Sequence, residues 1–145
     1  MTTYQLSCKI GSTDTAANLG LEIWVDNSQL YNTDHVTDAA LPLVFELDDN
    51  EADHELRFVM NNKTTEHTII DDQNNIIADA RLIISDVAFD EIKLGQMIVD
   101  QAVYTHNFNG THPETIDKFY GEMGCNGTVS LNFSTPIYLW LLEKM

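Results

Sequence analysis

The chain has 145 residues, 43 % of them hydrophobic, with 7 Lys and Arg against 23 Asp and Glu and a formal net charge of −16. That composition suits one core and one domain over residues 1–145. A surface of this sign repels a phosphate backbone and an anionic bilayer, no basic cluster relieves it, and no apolar run reaches the ~18 residues of a spanning helix, so nucleic acid and membrane are excluded as partners.

The first ten residues, MTTYQLSCKI, lack the basic segment and apolar core of a signal peptide. Thr3–Ile10 reads as a strand with Tyr4, Leu6 and Cys8 on one face. A polar loop, Gly11–Gly20, leads to GLEIWVD, where Leu21, Ile23 and Val25 alternate with Glu22, Trp24 and Asp26. Asp26-Asn27-Ser28 is turn chemistry, because these side chains bond to nearby backbone. After a polar loop at Asn32–Asp38 come a strand at Leu41–Leu47 and an acidic turn, DDNEAD, at Asp48–Asp53.

In HELRFVM, Leu56, Phe58 and Met60 share one face and Glu55, Arg57 and Val59 the other. Lys63–Ile70 reads as a short strand, Asp71–Asn75 (DDQNN) as a turn, and Ile76–Ile77 and Ala80–Phe89 as further strands. Leu82 and Ile84 share a face that Asp86 would continue, which predicts a bulge near Ser85. Together His54–Asp90 reads as the central sheet of a sandwich with its acidic turns in water. Ile92–Leu94 and Met97–Tyr104 read as short extended pieces.

Asn109-Gly110 and Asn126-Gly127 suit type I′ hairpins, in which both central residues have positive φ. In TVSLNFS, Val129, Leu131 and Phe133 alternate up to the break at Pro136. The tail IYLWLLEKM needs burial, and the alternation of Ile137, Leu139 and Leu141 favours a last strand over a short docked helix. No long 3.6-residue period interrupts this spacing, so the expected fold is all-β: an antiparallel β-sandwich, jelly-roll-like, with eight to ten strands.

Candidate sites follow from side-chain chemistry. Calcium takes carboxylate, amide and carbonyl oxygens, which DDQNN offers at Asp71, Asp72, Asn74 and Asn75, with Asp79 nearby. DDNEAD offers a poorer set at Asp48, Asp49, Glu51 and Asp53, and neither has EF-hand spacing. His35, His54, His67, His106 and His112 form no HxH or HExxH motif, although His106 and His112 flank an Asn-Gly turn. Cys8 and Cys125 match no zinc or redox spacing and read as free thiols. There is no GxSxG elbow and no glycine-rich phosphate loop, so an enzyme is not expected. Trp24, beside Asp26 and with Tyr31 close by in sequence, could stack on a sugar ring unless the other sheet or the tail covers it. The apolar tail residues Ile137, Tyr138, Leu139, Trp140, Leu141 and Leu142 are candidates for an interface.

The order GLEIWVDNSQLYN, then HELRFVMNNKTTEHTIIDDQNNIIADARLIISDVAFDEIKLG, then GCNGTVSLNFSTPIYLWLLEKM resembles small marine cyanophage proteins. It is similar, through them, to calcium-dependent xylan-binding carbohydrate-binding modules. In those modules a strand ending "vDg" precedes an "H-x-l-x-v-x-f-x-N" strand, matched here by Val25-Asp26-Asn27 and His54–Asn61. Asn27 replaces the family's glycine, and the family's calcium-loop aspartates have no residue-by-residue counterpart. The resemblance implies a non-catalytic virion structural or decoration protein, made in the host bacterial cytoplasm. Its partners would be other virion proteins and further copies of itself. The alternative it implies is a calcium-assisted carbohydrate-binding module with a polysaccharide ligand.

Overall fold

Residues 2–64, 68–107 and 113–144 are described by the computed structural model. The Asn109-Gly110 turn, His67 and His112 lie outside them. Two antiparallel sheets face each other. The first joins β1 (Thr3–Ser12), β4 (Leu41–Asp48), β8 (Leu82–Phe89) and β12 (Glu122–Met123) in the order β12-β8-β1-β4, with β9 (Ile92–Lys93) also paired to β8. The second joins β2 (Gly20–Val25), β3 (Ser28–Thr33), β5 (Ala52–Asn61), β10 (Val103–His106), β11 (Thr115–Lys118) and β13 (Gly127–Thr135) in the order β11-β10-β13-β5-β2-β3. β6 (Thr68–Ile70) and β7 (Ile76–Asp79) form a separate hairpin around DDQNN. This is the all-β antiparallel sandwich expected from the alternation. The expected eight to ten strands become thirteen among the described residues, because short pieces such as β9 and β12 carry too few residues to show a period.

The alternation buries what it should. Leu6, Ile10, Leu82 and Ile84 of one sheet meet Leu21, Ile23, Leu56, Phe58 and Leu131 of the other. Removing such side chains from water is the main stabilising term of the fold. At one end Tyr4, Phe89, Phe133 and Trp140 stack edge to face or tilted, with Phe89 5.0 Å from Phe133 and 5.9 Å from Trp140. His54–Asp90 does not form one central sheet: β5 lies inside the six-stranded sheet, β8 inside the other, and β6–β7 outside both. Equal strand periods cannot say which sheet a strand joins.

The bulge falls where the phase slip placed it. Ser7 pairs Ala88 but Lys9 pairs Ser85, and Asp86 bulges at φ 52, held by Lys9 at 3.4 Å and Lys93 at 3.5 Å. Three local expectations are corrected. The tail is a helix, α2 (Ile137–Lys144), because Ile137, Trp140 and Leu141 sit at i, i+3 and i+4 and are buried together, while Leu139 is exposed. Pro136, lacking an N–H, suits the position before the first turn, and the Asp49 carboxylate accepts from Ile137 N at 2.8 Å. Gln96–Gln101 is a short helix, α1, where extended chain was expected; it crosses from β9 to β10 and buries Ile98. Asn126-Gly127 is no type I′ turn, since neither residue has positive φ. The tight fit at Gly127 has another cause: a Cβ there would meet the Thr105 carbonyl oxygen at 2.4 Å.

The turn with positive φ at both central residues is instead Asp90-Glu91, at 49° and 67°, between the paired Phe89 and Ile92. Asp90 is suited to this; its carboxylate accepts from Gln5 N at 2.7 Å. Glu91 carries a Cβ in a left-handed conformation that glycine adopts without penalty. Glu91→Gly is therefore expected to stabilise the chain by about 1 kcal/mol, read as a higher urea midpoint with an unchanged slope.

Candidate functional site

The outer face of the six-stranded sheet is built by the residues that alternate away from the core. Register places Gln29, Trp24, Arg57, Ser130 and Val103 side by side across five strands. With strands about 4.8 Å apart, the row from Trp24 to Ser130 spans roughly 10 Å. Trp24 is half-buried in this face. Its indole N–H donates to Glu22 Oε1 at 3.3 Å, and the Arg57 guanidinium lies 5.4 Å from its ring centre. Glu22 also accepts from Gln29 at 2.9 Å and from Asn61 at 3.1 Å. Arg57 donates to the Asp26 carbonyl at 2.9 Å and lies 3.4 Å from Glu55, whose other oxygen accepts from Ser130 at 2.7 Å. The face is a fixed lattice of donors and acceptors around one aromatic ring.

Asn132, opposite Glu55 in register, continues this face into a cleft of about 470 Å³. Trp140 and Phe133 lie at its base, and His54, Gln101, Glu143 and Lys144 supply polar walls. That volume lies in the range of small-molecule sites.

The expected sugar-binding residues part company here. Trp24 is on the outer face. Tyr31 pairs with Ile23 and packs against the core, on the opposite side of the sheet. The bulge between Ile23 and Trp24 sets that phase. Asp26 sits in the β2–β3 turn at φ 54. Its carboxylate takes His54 Nδ1 at 2.7 Å and Glu55 N at 2.9 Å. His54 Nε2 lies 3.0 Å from Thr135 Oγ1, which completes a carboxylate–imidazole–hydroxyl order familiar from nucleophilic triads. The hydroxyl, however, donates to the Asn50 carbonyl, and Thr135 is only 4 % exposed. No substrate carbonyl reaches it, so the three side chains clamp the β2–β3 turn, β5 and the end of β13 together.

The candidate calcium residues are not brought to one point. Asp71 is used locally: one oxygen accepts from Gln73 N and Asn75 N, both at 2.9 Å, and these bonds hold its carboxyl below the usual range. Asp72 and Asn74 are exposed, Asn74 at φ 63, and Asn75 turns back on Asp71. Asp79 is held by Lys63 at 2.5 Å. In the second acidic turn Asp49 caps α2. Among the described residues no three His, Cys, Asp or Glu are arranged to hold a metal ion. His106 pairs with Asp117 at 2.7 Å. Both cysteines are free, and burial pushes the Cys8 thiol up to about 12. Of the tail residues, Ile137, Trp140 and Leu141 belong to the core, while Tyr138, Leu139 and Leu142 are 50 %, 59 % and 71 % exposed.

Sequence reasoning set Glu22 on the same face as Trp24 but passed over Gln29, Arg57, Ser130 and Asn132. The outward phase of β5 and β13 was readable, but only strand order puts these residues beside Trp24.

No protein-family model matches the sequence, and no curated protein matches it. In three dimensions the chain is similar to the solved structure of vCBM60. That structure is described with a circular permutation linking two families of calcium-dependent carbohydrate-binding modules. The match has a TM-score of 0.57 at 11 % identity and covers 88 % of this chain and 89 % of that one. The fold is thus a β-sandwich like that of a carbohydrate-binding module.

Burial raises the Asp26 carboxyl, but hydrogen bonds from His54 and Glu55 N more than offset this and hold it below its usual value. An acid whose folded value is depressed stabilises fully above its unfolded value, near ~3.9, and loses this as pH falls through the folded value. With Asp26 nearly half exposed, Asp26→Asn is expected to cost about 1 kcal/mol at neutral pH. The gap from wild type should close below about pH 4 in urea unfolding run across pH.

Proposed function

We propose that this chain is a non-catalytic glycan-binding module that holds polysaccharide against the outer face of its six-stranded sheet. One observation carries this reading. A half-buried Trp24 ring lies in a solvent-facing sheet among side chains already fixed by one another: Glu22, Gln29, Arg57, Glu55 and Ser130. An aromatic face accepts the C–H surface of a pyranose, and prearranged carboxylates and amides take its hydroxyls without the cost of ordering flexible groups. The likeness of fold to vCBM60 supports the same reading. The net charge of −16 favours uncharged glycans over polyanionic ones.

Affinity electrophoresis through gels containing soluble xylan, β-glucan or mannan tests this. At least one polymer should retard the wild-type chain, Trp24→Ala should migrate as in an empty gel, and Tyr31→Phe should match wild type. Equal migration of all three in every gel would remove the reading.

A second reading rests on the outer side of α2, where Tyr138, Leu139 and Leu142 leave apolar surface in water. On this reading the module is carried on a phage particle, made in the bacterial host and attached through α2 to another virion protein or to a further copy. Mass spectrometry of purified particles should then find the chain in many copies, and Leu142→Glu should deplete it from them.

A further inference from the structure

The sandwich has an internal cation. Lys63, just past the end of β5, has a side chain only 1 % exposed. Its Nζ lies 2.5 Å from Asp79 Oδ1, at the end of β7, and donates to the Gly124 carbonyl, between β12 and β13, also at 2.5 Å. The backbone of Lys63 is gripped as well: Asn126 Oδ1 accepts from its N–H and Asn126 Nδ2 donates to its carbonyl, both at 2.9 Å. Three segments distant in sequence therefore meet on one positive charge.

The acceptors are a carboxylate and a backbone carbonyl, the oxygen types that a divalent cation such as calcium collects from converging loops. Here the space between them is filled by an ammonium on a tether. Burying that ammonium is costly unless it is paired and hydrogen-bonded, and these oxygens supply the compensation. Only 7 residues are basic in a chain of net charge −16, and a second one, Arg81, stands at the same end of the sandwich, 2.6 Å from Glu122. Asp79, the nearest acidic candidate to the DDQNN turn, is thus already neutralised by the protein itself.

We infer that the Lys63 ammonium organises this loop end in place of a divalent cation, so that the fold needs no calcium. The inference concerns the fold and stands or falls apart from glycan binding.

Thermal unfolding of the full chain, without any glycan, tests it. The wild-type Tm should agree within about 1 °C in EDTA and in millimolar calcium, since a cation that bound the native state would raise it. Lys63→Met keeps the apolar stem and removes the charge; its Tm should fall by roughly 5–10 °C. Asp79→Asn, which leaves an oxygen on the ammonium, should fall by less and still fold if the methionine variant does not. A wild-type Tm that drops on chelation would overturn the inference, and so would variants as stable as wild type.

Discussion

The contact on which the rest of the structure depends is the ring cluster of Tyr4, Phe89, Phe133 and Trp140. It takes one ring from β1, one from β8, one from β13 and one from α2, and so ties both sheets and the tail in a single apolar unit. Trp140 reaches Phe89 and Phe133 only because the tail coils; an extended tail would put Trp140 on the face opposite Ile137 and Leu141. Coiling leaves the first N–H groups of α2 without partners, and the Asp49 carboxylate answers one of them. The acidic turn that looks like a cation loop is in this sense a helix cap. The cleft beside His54 and Asn132 exists because α2 lies against the end of β13.

A strongly acidic chain must still bring its loop ends together. Among the described residues this one does so by local neutralisation. Lys63 answers Asp79, Arg81 answers Glu122, and Lys9 and Lys93 answer Asp86. Asp71 is satisfied by the backbone of its own turn. Most of these pairs are exposed and worth little singly. Lys63 differs because it is buried, where an unpaired charge is far more costly.

The outer face of the six-stranded sheet uses the same economy of fixed groups for a different end. Glu22 accepts from Gln29 and Asn61 and Glu55 accepts from Ser130, while the buried Arg57 Nε has no hydrogen-bond partner among the described residues. Arg57 does two things there: it lies over the indole and anchors the β2–β3 turn through the Asp26 carbonyl. The turn in turn reaches His54 and Thr135. The outer face and the clamp at the sandwich end are thereby one connected network.

The sequence by itself determined the class of fold, the inward faces of β1, β2, β5 and β13, and the bulge at Asp86, because a period of two is a local property that burial enforces strand by strand. It also set Trp24 on the face opposite Leu21, Ile23 and Val25, and left open whether the other sheet or the tail covers that face. Partner choice was left to the tertiary structure. Whether β5 and β8 share a sheet, whether Tyr31 stands beside Trp24 or behind it, and whether Asp79 meets a metal or Lys63 depend on contacts between residues far apart in the chain. The tail shows the limit most plainly: Ile137, Leu139 and Leu141 alternate, and Ile137, Trp140 and Leu141 recur every three or four residues. A run this apolar satisfies both periods, and only the aromatic pocket between the sheets selected the helix.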